Sequence, residues 1–264
     1  MRIALVITTY ERPDALAAVL TSAGRQTLAP AEIIVADDGS RDMTRGVVRE
    51  FTAHSSTPVR FLAQAHDGFR LTRLRNLAIA ATTADYLVFV DGDMVLDPHF
   101  VADHARLARR GWFTQGVRVR ADADLTRKLI EDPATPVRFL GSGLGGPRRL
   151  YLLRSPALAS AARRMANTFI AIKGCNQAFW REDLARVNGF NEEIRGWGPE
   201  DKELCARLRV AGVRRQTLLF GGVAVHLEHP PAARERLAAN QAVFEDTLRQ
   251  RKSRCEAGLD AHLT

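Results

Sequence analysis

The chain has 264 residues, enough for one large domain, and its apolar share of 46% and charged share of 26% are ordinary for a globular protein. No apolar run approaches the roughly eighteen residues of a membrane-spanning helix. The start of the chain, where Glu11 and Arg12 soon follow a short apolar run, does not resemble a signal peptide. The formal charge of +8 favours an anionic partner, and three cysteines without metal-ligand spacing lead us to expect a reduced, cytoplasmic protein.

Short apolar runs alternate with amphipathic segments over the first hundred residues. The predicted strands are 2–8, 32–36, 59–62 and 86–90. The predicted helices between them begin at Pro13 and lie near 47–51 and 71–81. Continuous apolar strands that alternate with helices predict an α/β fold with a mainly parallel sheet covered on both faces.

The order of elements is less regular after residue 120. We predict a long loop over 121–165 with a helix at 156–165, then a strand near Ala171. The later predictions are a helix at 182–187, a turn at Asn188-Gly189, a helix at 200–211, a strand at 223–226 and a last helix from Pro230-Pro231 to about Lys252.

The middle of the chain is strongly basic. Between Arg106 and Arg164 there are thirteen Lys or Arg and four Asp or Glu. A basic segment favours an anionic partner, although a solvated protein face has the same composition. Aromatic residues are only 7% of the chain and do not interleave with the arginines, so we expect no nucleic-acid partner. We interpret the segment as contacting an anionic lipid-linked glycan or the inner membrane leaflet, which predicts a peripheral location.

Polar residues follow three of the predicted parallel strands. The groups are Thr8-Thr9-Tyr10-Glu11, Asp37-Asp38 and Asp91-Gly92-Asp93. Because ligands bind beyond the carboxyl ends of the strands in such sheets, we expect these groups to meet in one crevice.

Each of these groups suggests a contact with a nucleotide. Asp91 and Asp93 flank a glycine, so both carboxylates could turn toward one divalent cation, although a polar turn has the same composition. The Tyr10 ring could stack on a base, and Asp38 could accept a hydrogen bond from a uracil imide. Arg75 lies on the preceding helix and could reach phosphate oxygens, or it could belong to a solvated face.

The first 120 residues resemble the family 2 glycosyltransferases of the GT-A fold. The resemblance lies in Val6-Ile7-Thr8-Thr9-Tyr10-Glu11-Arg12, Val35-Ala36-Asp37-Asp38-Gly39-Ser40 and Val90-Asp91-Gly92-Asp93. It implies that Thr8, Tyr10 and Asp38 contact uracil and that Asp91 and Asp93 bind the metal. The other residues expected at the donor site are Thr9, Glu11, Arg75, Gly92 and Trp197.

The second half resembles the galactosyltransferase-type region of β4-galactosyltransferases and bacterial chondroitin-polymerising enzymes. The matching runs are Lys173-Gly174-Cys175-Asn176-Gln177-Ala178-Phe179, Gly189-Phe190-Asn191-Glu192 and Gly196-Trp197-Gly198-Pro199-Glu200-Asp201. The resemblance implies that the last run holds the acceptor and that Asp201 is the catalytic base, with Glu200 beside it. Both carboxylates would also stabilise the first turn of a helix, which is the structural alternative.

A histidine is implied as the third protein ligand of the metal. His226 is the better match to the galactosyltransferase pattern, and His229 competes for the role. A histidine beside two aspartates favours Mn²⁺ over Mg²⁺.

Together these features predict a GT-A fold with a nucleotide-sugar-binding half (1–120) and an acceptor-binding, metal-completing half (121–264). We expect an inverting, metal-dependent transfer of sugar from a UDP-sugar to a glycan hydroxyl in bacterial surface polysaccharide or lipopolysaccharide synthesis. The last helix could support a homodimer. The alternatives are a sugar-nucleotide nucleotidyltransferase and a non-catalytic, basic nucleic-acid-binding protein.

Overall fold

A computed structural model describes residues 1–145, 147–162, 172–231 and 233–263. The strands are β1 Ile3–Thr9, β2 Glu32–Asp37, β3 Val59–Ala63, β4 Tyr86–Asp91, β5 Met94–Leu96, β6 Trp112–Gln115, β7 Val119–Arg120, β8 Asn176–Trp180, β9 Arg214–Thr217 and β10 Ala224–His226. The helices are α1 Pro13–Gly24, α2 Asp42–His54, α3 Leu71–Ala80, α4 Phe100–Leu107, α5 Ala123–Glu131, α6 Pro156–Ala162, α7 Arg181–Arg186, α8 Glu200–Val210 and α9 Leu237–Gln250. Short 3-10 helices span Pro147–Leu152 and Leu259–His262.

Seven strands form the main sheet in the order β3-β2-β1-β4-β8-β6-β9. The strands β1 to β4 are parallel, and β8 is antiparallel to both of its neighbours. Alternate residues of β1 pack into two apolar clusters on opposite faces of the sheet, with Leu5 in one and Val6 in the other. The sheet is therefore covered on both sides, and the predicted α/β fold is confirmed.

Proline starts α1 where a helix tolerates it. Pro13 occupies the first turn, where its missing N–H costs no hydrogen bond. The buried side chains Leu16, Val19 and Leu20 follow at helical spacing and pack against β1. The chain therefore turns back along the sheet directly after β1, so the segment between β1 and α1 stays at the carboxyl edge.

A second sheet of three strands joins the two halves of the chain. It has the order β5-β10-β7, with β10 antiparallel to β5 and parallel to β7. In this register His226 pairs with Met94 and with Arg120. The sheet therefore places His226, from the second half of the chain, opposite the residue that follows the Asp91-Gly92-Asp93 turn.

Two predictions for the second half were wrong, and a third falls on residues outside the described part of the chain. The segment predicted as a loop holds α5, whose first turn is capped by Asp122 accepting a hydrogen bond from the Leu125 N–H at 2.9 Å. The strand lies at Asn176–Trp180, while Ala171 is outside the described residues. The last helix begins at Leu237 and not at the prolines.

The remaining helix predictions agree with the structure within a few residues. The helix predicted for 156–165 is described as Pro156–Ala162, and residues 163–165 lie outside the described part. Across the described ranges, no helix is long and apolar enough to cross a membrane.

Candidate active site

A cleft of about 680 Å³ lies at the carboxyl ends of β1, β2 and β4. Its volume is in the range of pockets that hold cofactors and small substrates. Most of the predicted site residues line it. They are Thr8, Thr9, Tyr10, Asp38, Arg75, Asp91, Gly92, Asp93, Trp197, Glu200, His226 and His229.

The turn after β4 leaves no space for a side chain at its centre. The Gly92 N–H donates to the Thr8 carbonyl at 2.7 Å. A Cβ at Gly92 would lie 2.9 Å from the Thr9 Cβ and 3.0 Å from the Thr8 carbonyl oxygen. The Thr8 hydroxyl lies 3.4 Å from an Asp91 carboxylate oxygen. The glycine therefore allows β1 and the two aspartates to approach one another closely.

Asp93, His226 and His229 form a group that could hold a metal ion. One ligand atom from each lies within 4.8 Å of the others. Asp93 Oδ1 is 3.6 Å from His226 Nε2, and Asp93 Oδ2 is 3.3 Å from His229 Nε2. Asp93 Oδ1 is buried and has no hydrogen-bond partner among the described residues. Such an orphaned carboxylate oxygen facing imidazole nitrogens fits a divalent cation.

The protonation of this group also suits a metal. Burial and the nearby Arg118 lower the pKa of His226 to about 3, so its imidazole is neutral and can donate a lone pair. Burial, and then the charge of Asp91, raise the pKa of Asp93. Asp91 is not in the three-residue group, so the structure places both histidines, and only one of the two predicted aspartates, around the ligand position.

Arg75 connects the metal turn to the start of α8. Its side chain is 1% exposed, and its guanidinium lies 3.3 Å from Asp91, 3.5 Å from Glu200 and 3.3 Å from the Gly174 carbonyl. The guanidinium carbon also lies 5.1 Å from the centre of the Phe190 ring. The alternative that Arg75 belongs to a solvated face is wrong, because its guanidinium is buried at the cleft between two carboxylates, and the expected contact with phosphate oxygens stays a prediction.

Glu200 and Asp201 begin α8, where the N-terminal N–H groups favour negative charge. Burial raises the pKa of both carboxyls, and the charge of Asp201 raises the pKa of Glu200 further. An Asp201 oxygen accepts a hydrogen bond from the Lys202 N–H at 2.7 Å. Among the described residues that line the cleft, Glu200 is present and Asp201 is not.

The opposite end of the cleft contains the residues expected to bind the base. Asp38 is buried and accepts hydrogen bonds from the Gln64 amide at 2.5 Å and from the Arg70 N–H at 3.1 Å. The Tyr10 ring stacks on His66, with ring centres 4.5 Å apart and planes inclined by 10°. This end therefore presents a fixed carboxylate and an exposed aromatic face, which suit a planar ring with an N–H donor.

Glu11 is oriented away from the other predicted residues. Its backbone has a positive φ of 49°, and its carboxylate accepts three hydrogen bonds from Arg41. Arg41 thereby lowers the pKa of Glu11. Glu11 is absent from the described residues that line the cleft, so its observed role is to hold the turn after β1.

Several cleft residues were not predicted from the sequence. They are Arg12, Phe69, Arg118, Arg120, Lys173, Pro230, Pro231 and Arg234. Arg118, directly before β7, and Arg120, in β7, flank Val119, and this alternation could have indicated that both arginines share a face.

Trp197 lies at the mouth of the cleft beneath a cation. The guanidinium of Arg234 lies 4.7 Å from the centre of its ring. The Asn240 amide donates to the Trp197 carbonyl at 3.0 Å, and a Cβ at Gly198 would lie 2.7 Å from that amide nitrogen. The glycines beside Trp197 therefore let α9 approach and hold the tryptophan loop.

Two family profiles match the chain. The profile of glycosyl transferase family 2 matches residues 4–164. A profile described as the N-terminal domain of galactosyltransferase matches residues 154–230. The two matches overlap at residues 154–164, so the first extends beyond the 120 residues of the first resemblance, and the second includes the runs that carry the second resemblance.

Known proteins agree with these profiles. The chain is 31% identical to validoxylamine A glucosyltransferase of Streptomyces hygroscopicus subsp. limoneus, over 80% of the chain and 48% of that protein. It is 28% identical to the chondroitin synthase of Escherichia coli, over 94% of the chain and 38% of that protein. The chain thus spans half or less of the length of these two relatives.

A solved structure shares the fold over almost the whole chain. S. aureus TarS in complex with UDP has a TM-score of 0.67 and 14% identity, covering 99% of this chain and 68% of that one. The predicted fold, the resemblance and the enzyme class are confirmed by the profiles and the relatives. The chain belongs to glycosyl transferase family 2.

Proposed function

We propose that the protein transfers a sugar from a UDP-sugar to a hydroxyl of a glycan, with a divalent metal at Asp93, His226 and His229. The observation that carries the proposal is the arrangement of the cleft. A metal-binding group lies on one side, the acidic start of α8 lies on the other, and Arg75 contacts carboxylates of both sides. Transfer of a diphosphate-linked sugar to a hydroxyl requires a cation near the diphosphate and a base near the hydroxyl within one cavity.

At the donor end, we propose that uracil binds between Tyr10 and Asp38. The exposed Tyr10 ring would stack on the base, and the Asp38 carboxylate would accept the imide N–H. Thr8, Thr9 and Gly92 would lie beneath the ribose and diphosphate, because they form the floor of the cleft beside the metal turn. That S. aureus TarS is solved with UDP supports a uridine nucleotide.

At the metal position, we propose Mn²⁺ or Mg²⁺, with Mn²⁺ favoured by the two imidazoles. A bound cation would neutralise charge on the departing diphosphate. Asp91, which contacts Thr8 and Arg75, would face the same diphosphate from the other side of Gly92.

Asp201 is the proposed general base, and Glu200 is proposed to hold the acceptor hydroxyl in place. The pKa values of both carboxyls are raised. A carboxylate with a higher pKa is a stronger base and accepts a proton more readily. A single base opposite the leaving group would give inversion at the anomeric carbon. Trp197, which is partly exposed at the mouth of the cleft, would pack against the acceptor ring.

The acceptor is proposed to be a glycan of a bacterial surface polysaccharide or lipopolysaccharide, lipid-linked and handled at the inner face of the cell membrane. The similarity to a chondroitin synthase supports polymer synthesis. The basic middle segment supports an anionic surface nearby. A homodimer formed through α9 remains an expectation.

The proposal is tested by UDP release from a panel of UDP-sugars with Mn²⁺, comparing Asp201→Asn with Glu200→Gln. We expect Asp201→Asn to reduce turnover by at least about a hundredfold while UDP binding is retained. A product of retained anomeric configuration would contradict the role of Asp201. Turnover of UTP and a sugar phosphate would indicate a nucleotidyltransferase instead.

A further inference from the structure

Four leucines in one part of the chain expose their side chains to solvent. Leu140 is 84% exposed, Leu150 49%, Leu153 43% and Leu158 53%. All four lie within a stretch of nineteen residues, and no other four strongly exposed apolar residues among those described lie so close in the sequence. We call Leu140, Leu150, Leu153 and Leu158 the leucine surface.

The stretch of sequence that contains these leucines has charge of one sign, and the carboxylates nearest to the Leu140 turn, Asp122 and Asp124, belong to the neighbouring α5 segment. From Pro133 to Arg181 the sequence holds eight Lys or Arg and no Asp or Glu. An ordinary solvated protein face mixes both signs, so the complete lack of carboxylates is unusual. Exposed apolar side chains within a purely cationic stretch have the composition of segments that lie in a membrane interface.

The exposed leucines belong to ordered elements. Leu140 lies in a turn closed by a hydrogen bond from the Gly141 N–H to the Arg138 carbonyl at 2.8 Å. The Asp122 N–H donates to the Gly143 carbonyl at 2.8 Å, which ties this turn to the start of α5. The leucine is therefore presented by a fixed turn.

The other leucines are presented in the same way. Tyr151 and Leu152 pack against an apolar cluster, while Leu150 on the same 3-10 helix is exposed. In α6, Ala159 and Ala162 are buried, while Leu158 is exposed. Each element thus buries one apolar side and presents a leucine on the other.

Not every arginine of this region is available to a ligand. Arg154 forms two hydrogen bonds of 2.9 Å with the buried Asp103, so its role is structural. Arg138 is exposed and contacts no carboxylate of the described part of the chain. The 3-10 helix packs against β7, and Arg120 on β7 lines the cleft. The 3-10 helix that carries Leu150 therefore lies beside a strand that contributes to the cleft.

We propose that the leucine surface inserts into the interface of a bilayer containing anionic lipids. The charge complementarity between the acid-free stretch and anionic headgroups selects this occupant over a neutral surface. Burial of the leucine side chains in the bilayer would add hydrophobic free energy of binding to the electrostatic attraction. The biological role of membrane docking rests on the proposed function, since docking would bring a lipid-linked acceptor to the cleft. Vesicle binding itself is measured without turnover.

The test is co-sedimentation of the full chain with phosphatidylcholine vesicles, with and without about 30% phosphatidylglycerol. The variant is Leu140→Ser/Leu150→Ser/Leu158→Ser, and its matched control replaces three exposed residues elsewhere. The control is Leu28→Ser/Met43→Ser/Leu248→Ser. UDP calorimetry on each variant reports folding and the donor site independently of vesicle binding.

We expect the wild type and the control to bind only the anionic vesicles, and the leucine variant to bind them at least about tenfold more weakly. No binding by the wild type, or equal binding by the leucine variant, would overturn the proposal. A wild-type dimer in sedimentation velocity that the leucine variant abolishes would also overturn it, because a second copy would then cover the surface. Absence of UDP binding by the wild type would reject the proposed function and would leave the vesicle-binding result unaffected.

Discussion

Arg75→Met removes the cation that lies between Asp91 and Glu200 while keeping an apolar stem of similar length. The arginine is 1% exposed, and its guanidinium contacts the two carboxylates at 3.3 and 3.5 Å. At an effective dielectric constant of about 20, each contact corresponds to about 5 kcal/mol of Coulomb energy before desolvation. Because desolvation offsets much of this and Asp91 is partly exposed, we expect a loss of about 3 kcal/mol in the free energy of unfolding.

Urea denaturation of the variant measures this loss, and Arg73→Met is the matched control. Arg73 lies one half-turn earlier on α3, is half-buried, and donates to the Gln64 side chain at 2.6 Å. Its removal should cost less than about 1 kcal/mol. Arg75→Lys keeps the charge but loses the forked geometry, so an intermediate loss is expected. Equal losses for Arg75→Met and Arg73→Met would refute the assignment of Arg75 as the link between the two sides of the cleft.

Three further changes test other parts of the structure. Gly92→Ala places a Cβ 2.9 Å from the Thr9 Cβ and should weaken UDP binding at least about tenfold by calorimetry; unchanged affinity would contradict the close approach of β1. Burial lowers the pKa of His104 to about 4, below the value of about 6.5 expected in the unfolded chain. The contribution of the buried, neutral His104 to the free energy of unfolding is therefore fully present above about pH 6.5. That free energy should decrease by about 3 kcal/mol as the pH falls to about 4, because the unfolded chain binds the proton first. His104→Gln should flatten the measured pH dependence of unfolding by that amount, and an unchanged slope would contradict the burial. Arg207→Met leaves the buried Glu203 unpaired and should lower the melting midpoint with a loss of about 3 kcal/mol, whereas a loss under about 1 kcal/mol would contradict the ion pair.

The sequence predicted the elements from β1 to β4 closely because these strands are continuous apolar runs that end in polar groups, whereas β5, α4, β6 and β7 were not predicted. Asp38 and Asp93 could be placed at one edge from strand order alone, since parallel strands present their carboxyl ends together. The structure gives each of these residues its surroundings. The Asp38–Gln64 hydrogen bond and the Tyr10–His66 stack depend on the loop after β3, whose path no periodicity reveals.

The second half was less predictable because its buried residues are often polar. Asn176 and Gln177 are fully buried in β8, where Asn176 donates to the carbonyls of Val117 and Gly222 at 2.8 and 3.1 Å. A pattern based on apolar residues therefore did not predict β8, and the strand predicted near Ala171 falls outside the described residues. The helix α5 was missed because two leucines and a capping aspartate define it in an otherwise polar segment.

The choice between the two histidines also needed the structure. The resemblance to the galactosyltransferase-type region favoured His226 as the better match, with His229 as its competitor. His229 follows three residues later, and both imidazoles lie within 4 Å of Asp93 oxygens, at 3.6 and 3.3 Å. We therefore propose both as ligands.

The central claim is a metal-dependent site for a uridine nucleotide. It is tested most directly by calorimetric titration of UDP into the wild type with and without Mn²⁺, and into Asp93→Ala. The control is Asp124→Ala, at a carboxylate that is 75% exposed and lies outside the cleft. We predict that UDP binds the wild type and the control only with Mn²⁺ and does not bind Asp93→Ala. Absence of UDP binding to the wild type with Mn²⁺, or undiminished binding to Asp93→Ala, would contradict the account.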